Sequence, residues 1–199
     1  MPANPISRRD LLKSLTIGTV AGSVLRVIPV EAAEHAHNMV AQDKAASPKG
    51  DYSPKFFSPH QYQTLRTLCQ AIIPADAECG GAIEAEAPEF IDLLTSENTD
   101  YQLALGGGMM WLDHACLDRY GKTYVDCAPE QQKEILDLIA YRANAKKDPG
   151  LSQGIEFFAF LRNLTVDGFF TSKIGTEYLK YIGNTFLASF PGCPPVPGV

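Results

Sequence analysis

Asp113, His114 and Cys116 form the densest cluster of catalytic residue types in the chain. A thiol becomes a nucleophile only with a base in hydrogen-bond reach. On a helix, His114 meets Asp118 one turn later, while Cys116 points elsewhere. The spacing therefore reads as an ordinary helix histidine beside an unrelated thiol. Carboxylates are plentiful, but Glu84 and Glu86 fall in a loop, and Glu89 and Asp92 fall where a helix begins. The helix dipole alone favours acids there. A general acid needs a cleft that shifts its pKa, and no spacing marks one. An enzyme built on Asp113, His114 and Glu130 stands as one alternative reading.

Metal and cofactor chemistry find no better footing. Cysteines at 69, 79, 116, 127 and 193 make no CxxC, haem or iron–sulfur spacing. Being odd in number, they leave at least one thiol unpaired within the chain. His35-Ala36-His37 sits among small and polar residues and reads as an idle pair rather than a metal tag. Gly106-Gly107-Gly108 lacks the GxGxxG spacing and the preceding strand that a dinucleotide requires. It reads as a bend or as a close backbone approach. Expected catalytic, cofactor and metal residues are therefore none.

Ser7-Arg8-Arg9-Asp10-Leu11-Leu12-Lys13 answers to a different chemistry. Arg8 and Arg9 precede a weakly apolar run too short to span a bilayer. That is the form of a twin-arginine export signal. Val30-Glu31-Ala32 suits signal peptidase, with Ala33 as the first mature residue and a second frame between Ala33 and Ala36. The route carries folded proteins, which places the chain in the periplasm and raises the question of which cofactor required folding first.

The elements that would position these residues are helices. Residues 1–32 read as the signal and 33–55 as a flexible leader with few large apolar groups. Residues 56–199 read as one irregular, mostly α domain. Ser58-Pro59-His60-Gln61 has the signature of a capped helix start, and Tyr62, Leu65, Leu68, Cys69, Ile72 and Ile73 follow at helical spacing. Pro88 and Pro129 open further helices. Tyr101 to Tyr120 is helical up to Gly121, and Glu156 to Phe170 forms an aromatic helix. Pro191-Gly192-Cys193-Pro194-Pro195-Val196-Pro197 is expected as an extended arm.

Of 199 residues, 17 are basic and 23 acidic, for a net charge of −6. The first 32 residues hold four of the basic and two of the acidic groups, so the remainder is more acidic still. This argues against a nucleic-acid binder and against a polybasic membrane-surface protein. A folded-export signal without a cofactor site points to a redox group carried by a partner. Trp111, Phe169, Phe170, Tyr181 and the Cys193 arm are the candidate contact residues, because aromatic groups are enriched at interfaces. For Trp111, core and contact surface both remain open. A free-standing exported binding protein is the other alternative.

The sequence also resembles a known family. Phe57-Ser58-Pro59-His60-Gln61-Tyr62, Leu68-Cys69-Gln70-Ala71-Ile72-Ile73-Pro74-Ala75-Asp76 and Leu164-Thr165-Val166-Asp167-Gly168-Phe169-Phe170-Thr171-Ser172 carry the likeness. Trp111-Leu112-Asp113, Gly183-Asn184 and Pro191-Gly192-Cys193-Pro194 extend it. It is similar to subunit 3, the small or gamma subunit, of gluconate 2-dehydrogenase-type complexes. That resemblance implies an FAD-bearing large subunit of the glucose–methanol–choline type that oxidises a sugar, sugar acid or glycoside. It implies a cytochrome c subunit or another acceptor for the electrons. It also implies an escort role for the small subunit in export and maturation, with no catalytic residue of its own.

Overall fold

The computed structural model describes residues 28–181, which form a helical body with no strand among them. Seven α-helices run α1 Val30–Ala46, α2 Pro59–Ile72, α3 Ala87–Glu97, α4 Thr99–Tyr120, α5 Pro129–Ile139, α6 Ser152–Phe170 and α7 Lys173–Tyr178. Short 3₁₀ turns lie at Tyr124–Asp126, Arg142–Lys146 and Pro149–Leu151. The mostly α expectation holds.

The centre is α3. Phe90, Ile91, Leu93 and Leu94 are buried, as are Glu89, Asp92 and Thr95. A helix apolar on nearly every side must be covered on nearly every side, and α1, α2, α4 and α6 all pack on it. Its neighbour α2 starts as the sequence predicts. Ser58 Oγ accepts from the Gln61 amide at 3.3 Å, and Gln61 Oε1 accepts from the Ser58 amide at 3.1 Å. Pro59 occupies the first turn, where a missing N–H is harmless.

The three glycines do not interrupt α4, which runs unbroken from its Asn98 cap to Gly121 in the left-handed region. The reason lies across the interface. A Cβ on Gly108 would fall 2.0 Å from the Phe157 ring, so glycine admits α6 at close range. Trp111 uses the same device in reverse, its ring covering Gly154 of α6, where a Cβ would lie 2.2 Å away.

The N-terminal stretch corrects the sequence reading. Residues 33–55, expected as a flexible leader, form most of α1 and a clasped strap. Ala32, Ala33, Ala36 and Val40 are buried on one face of α1, against α3. Alanine is the best helix former and loses no side-chain entropy, so a helix can form and pack here without large apolar groups. His37 stacks on Phe90 at 4.8 Å between ring centroids, and its Nε2 lies 3.0 Å from Thr171 Oγ1. Lys44 pairs with Glu86, and Lys55 pairs back to Asp43. The strap ends on Asp92, whose buried carboxylate accepts from Tyr52 Oη at 2.9 Å and from the amides of Lys55, Phe56 and Phe57 at 2.6, 3.1 and 3.0 Å. The packed body therefore includes residues well ahead of 56, Ile28 among them.

Candidate functional site: a contact face on helix α4

The polar residues singled out for chemistry are placed apart. Asp113 Oδ2 lies 2.7 Å from His60 Nε2, and its Oδ1 accepts from the Tyr124 amide at 3.0 Å. Asp113 thus ties α2 and the 3₁₀ turn to α4. His114 Nδ1 pairs with Asp118 at 3.1 Å on the exposed surface, as the helical spacing required. Cys116 faces the opposite way, fully buried, with the buried Cys127 thiol near it. Burial, then Cys127 beside it, pushes the Cys116 thiol up to about 12. A thiol held protonated is a poor nucleophile. Glu130 is exposed in the first turn of α5.

The acids are equally engaged. Glu84 accepts from the Gly81 amide at 2.8 Å, Glu86 holds Lys44, Glu89 lies 3.2 Å from Arg66, and Asp92 clasps the strap. Among the described residues no three His, Cys, Asp or Glu side chains are grouped to hold a metal ion. Gly106-Gly107-Gly108 lies inside a helix, so its amides bond within α4 and cannot cradle a pyrophosphate. Among the described residues, Asp167 is the carboxyl moved furthest from its ordinary range. Burial raises it to about 6, and its Oδ2 is buried without a hydrogen-bond partner.

What the surface offers is apolar. Leu103, Met110 and Leu117 recur every seven residues on the outer face of α4, at 77%, 69% and 48% exposure. Seven residues are two helical turns, so the three side chains stand in one row. Beside the row an open groove of about 620 Å³ is lined by Gly107, Met110, Trp111, His114, Asp148 and Gln153, among others. At the far end of α6, at the end of α7 and just past it, Phe170, Tyr178, Leu179 and Tyr181 are exposed as well.

The expected contact residues divide accordingly. Phe169 is 4% exposed and belongs to the body, where it meets Phe170 edge-on at 5.0 Å. Trp111 is half-buried, pinned over Gly154 with one edge in the groove. Phe170 and Tyr181 remain on the surface at 37% and 55%. Cys193 and its arm, like Arg8 and Arg9, lie outside the described residues. Leu103 and Leu117 escaped the sequence reading, although the spacing 103-110-117 was the signal that identifies them.

No helix among the described residues is long and apolar enough to cross a membrane. Comparison with curated proteins and with solved structures found no match. The sequence model of one family, Gluconate 2-dehydrogenase subunit 3, matches residues 59–192, from the first residue of α2 past the end of α7. That is well over half of the chain, and the chain belongs to this family as an accessory subunit of a dehydrogenase complex.

Proposed function

We propose that the chain is the escort and structural subunit of a periplasmic, FAD-dependent dehydrogenase acting on a sugar, sugar acid or glycoside. The observation that carries this is a pairing of membership with geometry. The family is named for the third subunit of a dehydrogenase, and Glu89, Asp92 and Asp113, among the polar residues capable of chemistry, are engaged in holding this fold together. The flavin belongs to a larger partner of the glucose–methanol–choline type. A cytochrome c subunit takes the electrons onward.

The escort role follows from the leader. Arg8 and Arg9 address the chain to a route for folded cargo, and a flavoprotein seated on this subunit crosses with it. The row Leu103, Met110 and Leu117, together with Trp111, Phe170 and Tyr181, supplies the seat, and the Cys193 arm adds to it. Large apolar and aromatic groups, desolvated together, supply most of the free energy of a protein interface. Replacing Arg8-Arg9 by Lys-Lys tests the proposal. Flavin-dependent dehydrogenase activity in the periplasm is expected to fall at least tenfold, with activity retained in the cytoplasm. Unchanged periplasmic activity would remove the escort role.

A further inference from the structure

The bond suited to signal peptidase, Ala32–Ala33, lies inside the first turn of α1. Ala33 is fully buried and Ala32 nearly so, while Ile28 ahead of them is also buried. The amide of this bond, Ala33 N–H, donates to Pro29 O at 3.0 Å. The alternative frame is no more open, because Ala36 is fully buried too. Beyond the bond, α1 is fastened by Val40 in the core, by His37 against Phe90 and Thr171, and by Lys44 on Glu86. Proteases cut exposed, flexible segments. A bond inside a packed helix becomes a substrate only in the opened fraction of molecules, and its cleavage rate scales with that fraction.

We infer that docking of α1 closes the Ala32–Ala33 bond to signal peptidase, so that the folded chain keeps its leader until α1 is released from α3. This rests on the export reading of the leader and goes beyond it. A chain that folds before transport presents the peptidase with a helix. Leader removal then reports whether α1 is seated, and residues 30–46 act as the guard.

The test uses the full-length folded chain, purified from cytoplasm and incubated with detergent-solubilised signal peptidase, followed by intact mass and N-terminal sequencing. Two variants release the guard in different ways. Val40→Asp puts a charge into the α1–α3 contact, and His37→Pro breaks α1 one turn after the bond. The wild-type chain is expected to stay intact while both variants are cut after Ala32 at least tenfold faster. Folded wild type cut as fast as the variants overturns the inference. So does failure of the peptidase to cut any of the three. Transport plays no part in this assay, so its outcome is separate from that of the Lys-Lys export test.

Discussion

The N-terminal stretch 30–57 and the outer face of α4 invert the usual link between apolar content and burial. The first is poor in large apolar residues before Tyr52, yet Ala32, Ala33, Ala36 and Val40 are buried and Asp92 fastens its end with four hydrogen bonds. The second presents Leu103, Met110 and Leu117 to solvent. Burial depends on whether a complementary surface exists in the same chain. For α1 that surface is α3, close enough that alanine suffices. For the α4 row we propose that it lies on another polypeptide.

The sharpest way to break the first half of the comparison is Asp92→Ala. The amides of Lys55, Phe56 and Phe57 lose their acceptor together, and buried unsatisfied groups cost about 1–3 kcal/mol each. A loss of about 3–5 kcal/mol is expected, in the range for breaking a buried charged network. Thermal unfolding should show a drop of roughly 10 °C at this chain length. A change under about 2 °C would mean that the strap is not held by this carboxylate.

Ala33→Leu and Leu103→Ser, measured side by side, test both halves. Overpacking the closed α1–α3 contact is expected to cost about 1–3 kcal/mol. The exposed α4 substitution should leave the free chain within about 0.5 kcal/mol while weakening co-purification of the large subunit at least tenfold. If Leu103→Ser destabilises the free chain and leaves co-purification intact, the row serves the fold and not a partner.

Asp167 on α6 gives a smaller, pH-dependent effect. Its folded carboxyl is raised to about 6 by burial, from an ordinary value of 3.8. The folded state therefore binds that proton more tightly than the unfolded chain. The associated stability is complete below about pH 4 and is lost as pH rises through about 6, then stays level. Asp167→Asn should gain about 1–2 kcal/mol at pH 7, after allowance for solvent screening, and nothing at pH 4. Equal gains at both pH values would contradict the assignment. The smallest effect is chemical. In the reduced native chain an alkylating reagent should label Cys79 in its loop and spare Cys69 and Cys116, both buried and raised to about 12. All three should label once the chain is unfolded.

Much of this architecture was legible beforehand, because local rules and tertiary packing agree in it. Ser58-Pro59-His60-Gln61 predicts the cap that forms, Gly121 stops α4, and the spacing of Leu65, Leu68 and Cys69 marks the buried face of α2. The reading failed where burial uses small residues. Alanines at 32, 33 and 36 are as compatible with a solvated leader as with a close helix contact, and only the facing α3 decides between them. Asp92 was read through the helix dipole, since nothing local shows that it receives a strap from residues 52–57. Phe169 and Phe170 are adjacent and equally aromatic. The helical turn sends one inward and one outward, and aromatic content alone does not separate them.

The central claim, an accessory subunit whose redox group resides in a partner, is tested most directly by affinity purification of the tagged chain from the periplasm with an absorption scan of the eluate. The account predicts a larger polypeptide in fixed ratio, carrying the flavin spectrum and the dehydrogenase activity, with both leaving when the two chains are separated. A chain that elutes alone, or a flavin that stays in stoichiometric amount on the isolated small chain, would contradict it.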